Sequence, residues 1–195
     1  LTAVMNGKNG SALEFACKEF KSDREIVLAA VSQNGSALQD ACEEFKSDRE
    51  IVLAAVYQTG FALQFACKEF RSDREIVLAA VSQDGEVLKF ASQEMKSDRE
   101  IVLAAVMNDG SFDECALRVA AEEFKSDREI VMAAVSKRGA ALKYADKKFN
   151  SDREIVLTAV MNGKNGSALE FACKEFKSDR EIVLAAVSQN GSALQ

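Results

Sequence analysis

The stretch KSDREIVLAAVSQNGSALQ occupies residues 21–39, and the same letters return at residues 177–195. Its SDRE core occurs seven times, opening at Ser22, Ser47, Ser72, Ser97, Ser126, Ser151 and Ser178 with spacings of 25, 25, 25, 29, 25 and 27 residues. A short, near-constant period is the signature of a solenoid, in which each unit packs mainly on its neighbours.

Each SDRE reads as a capping box. Ser22 can accept from the Glu25 N–H while Glu25 reaches back, and Ser47 with Glu50 repeats the pattern. The six residues that follow, Ile26-Val27-Leu28-Ala29-Ala30-Val31, cover every direction of a helix at 3.6 residues per turn. This helix is therefore expected to be buried on most sides. Gly35 and Gly60 stand where left-handed C′ caps would stop it, as do Gly10, Gly85, Gly110, Gly139, Gly166 and Gly191, with Gly7 and Gly163 in lengthened copies of the same turn. A second helix is expected over about 36–45. In the first copy Leu13, Ala16, Cys17 and Phe20 share one face of it. The fold class is therefore all-α, an α-solenoid of short antiparallel helix pairs. Helices this short are marginal alone in water, so the faces must be buried between units.

A longer period overlies the short one. Residues 1–39 are identical to 157–195, which defines a six-unit block of 156 residues followed by the start of the next. The whole of 1–195 reads as one continuous array. Opening on LTAV, with neither Met nor a leader, the text looks like a window on something longer: a chain, or an end-to-end assembly, repeating this block. The first 39 residues carry equal numbers of basic and acidic groups, so each added block carries the full net charge of −6. That keeps a long polymer soluble but self-repelling.

The charge balance, 25 basic against 31 acidic residues, argues against nucleic acid and anionic lipid as partners. No apolar run approaches the ~18 residues of a membrane span. There is no His, which removes the usual general base and the commonest metal ligand. A cluster repeated seven times is a poor enzyme, because catalysis needs one asymmetric constellation. No catalytic residue, cofactor or metal is expected.

Candidate sites remain. Cys17, Cys42, Cys67 and Cys173 share a slot that elsewhere holds Ser92, Ala121 and Asp146. That freedom suits a small packing residue rather than a ligand, and no CxxC is present. Cys115, within a four-residue insertion at 110–119, is the candidate exposed thiol. Phe15, Phe65, Phe90, Tyr144 and Phe171 share another slot, which points away from the face of Leu13. It is a candidate contact row, facing either the adjacent unit or a partner surface. The recurring Asp, Arg and Glu of SDRE form a structural ladder at one edge.

Asp48-Arg49-Glu50 through Gly60, Ala62-Leu63 and Ala66 follow the pattern D-x-E-x-V-L-x-A-V-x-x-x-G-x-A-L-x-x-A, which every unit repeats. The chain thus resembles, over its whole length, a tandem α-helical repeat family known only as a domain of unknown function, expanded in protists and present in some bacteria. That resemblance implies helical repeats and interaction roles. The expected function is a non-enzymatic structural protein that stacks into a filament or elongated scaffold, partnered with itself end to end and laterally. The competing expectation is a scaffold that binds another protein or a peptide.

Overall fold

Every SDRE starts a helix, whose first residue is the Arg and whose cap falls one residue after the Ser. The computed structural model describes residues 11–110, 115–163 and 167–189; Gly7, Gly10, Gly166 and Gly191 lie outside them. The chain divides into two compact units, Leu1–Asn108 and Asp109–Gln195. In the first, the long helices are α1 (Arg24–Gln33), α2 (Arg49–Gln58), α3 (Arg74–Val81) and α4 (Arg99–Met107). In the second they are α5 (Arg128–Lys137), α6 (Arg153–Met161) and α7 (Arg180–Gln189). Within each unit every long helix packs on the next. The architecture is an all-α solenoid of repeats, and no strand occurs among the described residues.

The cap is Asp, not Ser. The Asp23 carboxylate accepts from the Ile26 N–H at 3.1 Å, and Asp48 accepts from Glu50 and Ile51 at 3.0 and 3.1 Å. A carboxylate satisfies the open amides of the first turn and opposes the positive end of the helix dipole. Ser22 instead closes the short helix Lys18–Lys21, and Ser47 ends the 3-10 turn Phe45–Ser47. Glu25 lies exposed in the first turn of α1, and Glu50 accepts from Arg24 of the preceding repeat at 2.5 Å. The expected Ser–Glu capping box is thus corrected.

The glycines are corrected too. α1 closes at Asn34, whose backbone is extended (φ −148°), and Gly35 opens the 3-10 segment Gly35–Asp40. Neither Gly35 nor Gly60 has a left-handed φ. Their reason is proximity. A Cβ on Gly35 would lie 2.1 Å from the Ala55 carbonyl oxygen of α2, and one on Gly60 would lie 2.7 Å from that of Ala80 in α3.

The second helix is broken in two. In the second repeat it runs as Gly35–Asp40, turns at Ala41 with extended backbone, and resumes at Phe45–Ser47. The spacing of Leu38, Ala41 and Phe45 still puts all three in the core, at 0, 5 and 7% exposure. The long helices supply the rest. Ile51, Val52, Ala55 and Val56 of α2 are fully buried, and each Ile or Val contributes roughly 1.5–3 kcal/mol by leaving water. Leu53 and Ala54 are only half-buried, so one face of α2 stays partly open.

Candidate functional site

The structure concentrates its specific interactions at the joint between consecutive repeats. Three contacts recur there. The first is the glycine approach, in which the Gly35 backbone lies against the Ala55 carbonyl. The second is a backbone hydrogen bond made possible by the break in the second helix. The Cys42 N–H donates to the Lys21 carbonyl at 3.0 Å, Cys67 to Lys46 at 2.9 Å, and Ser92 to Arg71 at 2.9 Å. In the second unit Asp146 donates to Lys125 at 2.8 Å and Cys173 to Asn150 at 2.9 Å. The slot shared by Cys, Ser and Asp works through its main chain, which is why its side chain varies.

The third contact is the charged ladder. Arg24 pairs with Asp48 and Glu50, Arg49 with Asp73 and Glu75, and Arg74 with Asp98 and Glu100. In the second unit Arg128 pairs with Asp152 and Glu154, and Arg153 with Asp179 and Glu181. Each Arg near the start of one long helix thus grips both the cap Asp and the Glu of the next. The Arg49 guanidinium holds the Asp73 carboxyl below its ordinary range, and Arg153 does the same for Asp179. Exposed pairs contribute only roughly 0–1 kcal/mol each. Their use is to set which helix ends meet.

One sequence appears at two places and resolves the two sides of a repeat. Residues 11–33 have a described repeat only on their C-terminal side, and residues 167–189 only on their N-terminal side. Val27 and Val31 are fully buried, whereas their counterparts Val183 and Val187 are half-exposed and Leu184 is 51% exposed. Conversely, Ile182 and Ala168 are buried, whereas Ile26 is half-exposed and Ala12 exposed. Phe15 and Phe20 are 83% and 52% exposed, while Phe171 and Phe176 are partly covered. Val27, Leu28 and Val31 therefore face the following repeat. Ala12, Phe15, Phe20 and Ile26 face the preceding one.

The aromatic row follows from this. Phe65, Phe90, Tyr144 and Phe171 are half-buried, and Phe15 is open. Phe90 meets Phe61 of the preceding repeat edge-on, with ring centroids 6.1 Å apart. The Lys89 amine lies 5.7 and 5.1 Å from those two rings, and Lys143 lies 5.7 Å from the Tyr144 ring. The row is therefore shared between neighbouring repeats and a surface where lysine amines lie over the rings.

Cys115 is not an exposed thiol. It is 3% exposed, tucked ahead of the short helix Ala116–Val119. The Asp109 carboxylate there accepts from the Ala116 N–H at 3.0 Å. Burial, reinforced by the Asp109 charge, pushes the thiol up to about 12, so it stays protonated and unreactive. Cys17 is the exposed cysteine.

Sequence reading alone missed one surface. Leu28, Leu53, Leu78 and Leu103, with the Ala after each, are half-buried along the outer face of α1 to α4. Between α2 and α3 this face forms a shallow depression lined by Tyr57, Glu75, Leu78, Ala79, Ser82 and Gln83. Tyr57 stands 63% exposed at its edge. The six-residue apolar run hid this stripe, because periodicity cannot assign a face where every position is apolar.

A standard joint repeated along a helical array, with no described helix long and apolar enough to cross a membrane, defines a helical-repeat scaffold. Among the described residues no cluster of three or more His, Cys, Asp or Glu could hold a metal ion. The model of the family described as Domain of unknown function (DUF4116) matches six times in tandem, at residues 5–46, 23–71, 73–125, 111–150, 127–165 and 152–195, and the chain belongs to that family. No curated protein and no solved structure matches it.

Proposed function

We propose that this chain is a non-enzymatic structural protein whose repeats stack, copy upon copy, into an elongated scaffold or filament. The observation that supports it most is the joint that consecutive repeats rebuild in the same form. Arg24 grips Asp48 and Glu50, the Cys42 N–H donates to the Lys21 carbonyl, and Gly35 lies on Ala55. The sequence of residues 1–39 returns letter for letter at 157–195, so the same joint can be rebuilt from one block to the next. Electron microscopy of the purified chain, with light scattering across concentration, tests the reading. Elongated particles that lengthen with concentration are expected. A chain that stays monomeric at all concentrations overturns it.

A second reading rests on a different surface. The half-open Leu and Ala stripe on α1 to α4, with the depression beside Tyr57, suits the apolar side of a bound peptide or protein segment. Tyr57→Ser with Leu78→Ser separates the two, since neither residue takes part in the Arg pairs or glycine approaches of the joints. Loss of partner capture without loss of self-assembly favours binding.

A further inference from the structure

We propose that the half-open stripe of α2 to α4 binds a basic segment of a partner protein in the polyproline-II conformation, with an apolar residue at every third position. This rests on the binding reading above and specifies the chemistry of the partner.

Spacing selects the conformation. Leu53, Leu78 and Leu103 are half-buried at the same position of three consecutive long helices, and packed helices lie about 8–10 Å apart. A polyproline-II chain has three residues per turn and rises about 3.1 Å per residue. Every third side chain therefore returns to one face after about 9 Å, one for each helix of the array. A β-strand covers a similar length in three residues, but its side chains alternate, so consecutive anchors fall on opposite faces. An α-helix, about 10–12 Å across, is too wide to seat in so shallow a depression.

The depression between α2 and α3 supplies one anchor site. Leu78 and Ala79 line it, with Glu75 and Ser82 one helical turn to either side of Leu78. The Tyr57 ring, 63% exposed, stands at its edge. Grooves lined by an aromatic ring are what polyproline-II ligands occupy. The slot of Tyr57 holds Ser32 and Ser82 in the repeats on either side, so the ring marks this site out from its neighbours.

Charge selects the sign of the partner. The ladder runs along one border of the stripe, where each repeat places two acids and one Arg. Glu50, Glu75 and Glu100 are exposed there, while Arg24, Arg49 and Arg74 are held by the carboxylates of the next repeat. Arg71 and Lys96 are turned to the carbonyls of Gln64 and Lys89. The opposite border, at Tyr57-Gln58, Ser82-Gln83 and Met107-Asn108, has no charged side chain. Gln58 and Gln83 there donate to the Gln33 and Val56 carbonyls of the preceding helix at 3.2 and 2.6 Å. A Lys or Arg beside each apolar anchor thus meets net negative charge on one side and none on the other. A second copy of this chain brings the same sign of charge and is the poorer occupant.

Three labelled peptides, titrated with the full chain and followed by fluorescence anisotropy, test this. The first is four Leu-Pro-Arg triplets. The second has the same composition in pairs, Leu-Leu-Pro-Pro-Arg-Arg twice, and the third is four Leu-Pro-Glu triplets. The first is expected to bind at least about tenfold more tightly than either of the others, and added salt should weaken it. Tyr57→Ser with Leu78→Ser, and separately Glu75→Gln with Glu100→Gln, should each weaken it several-fold while the helical signal stays. Equal binding of the first two peptides, or tighter binding of the third, overturns the proposal and leaves the binding reading standing. No binding of any peptide overturns the proposal. If Tyr57→Ser with Leu78→Ser then also abolishes self-association, the stripe is a contact between copies and the binding reading falls with it.

Discussion

The Cα of Gly35 faces the carbonyl oxygen of Ala55 so closely that a Cβ there would stand 2.1 Å from it. Two backbones from consecutive repeats therefore touch without side chains between them, and the approach recurs at Gly60 and at Gly139, where Ala159 takes the place of Ala55. Gly35→Ala is expected to cost about 1–3 kcal/mol by overpacking. Gly110, which has nothing within 4 Å among the described residues, should accept Ala with little change. Chemical denaturation of the two variants checks the contrast.

Capping gives a second contrast. Asp48 caps α2 through the amides of Glu50 and Ile51, and Ser47 beside it does not. Asp48→Ala should lower stability by about 1 kcal/mol. Ser47→Ala should stay within about 0.5 kcal/mol of wild type. Equal losses for both would restore the Ser–Glu box.

Acid sensitivity follows from the ladder. The folded Asp73 and Asp179 carboxyls are held below their ordinary range by Arg49 and Arg153. A group depressed on folding contributes stability above its unfolded pKa and loses that contribution as pH falls through its folded pKa. With no His in the chain, melting temperature should be flat from about pH 7 to 5 and fall below about pH 4, where carboxylates protonate. Thermal melts across this range check it. A transition near pH 6 would point to a group absent from this account.

Thiol chemistry ranks the cysteines. Cys17 is exposed, Cys42, Cys67 and Cys173 are half-covered, and Cys115 is buried with its thiol pushed up to about 12. A maleimide at neutral pH should label Cys17 first and Cys115 only on unfolding. Mass mapping of the fragment around Cys115 reads the order directly.

Phe45 and Phe20 hold the same slot in consecutive repeats, yet Phe45 is 7% exposed and Phe20 52%. Phe45→Ala should cost about 3–5 kcal/mol through the cavity it leaves. Phe20→Ala should cost under about 1 kcal/mol, since a half-exposed ring has little burial to lose. Denaturation midpoints of the two variants decide whether a neighbour on each side is what buries this ring.

Much of the fold could be read from the SDRE period and the Leu38, Ala41 and Phe45 spacing, because both survive whichever way the second helix is wound. The break after Asp40 could not. It serves the Cys42 amide, which donates to Lys21 in another repeat, and long-range main-chain bonds leave no trace in local pattern. The Asp23 cap is hidden in the sequence because Ser22 and Glu25 also satisfy a capping spacing. Geometry chose the residue whose carboxylate reaches the Ile26 amide. Gly35 was legible as a required glycine but not for its reason, since turn and close approach demand the same letter. The burial of Cys115 leaves no mark in the sequence, because an insertion interrupts the repeat register that groups the other cysteines.

The central claim is that a repeat owes its structure to the repeats on either side. A synthetic peptide of residues 46–70, one repeat length with its Asp cap, α2 and the 3-10 segment Gly60–Phe65, tests it by circular dichroism in water. The account predicts a coil spectrum, because a ten-residue helix with its apolar faces uncovered is marginal alone. A helical spectrum with a cooperative melt would contradict it.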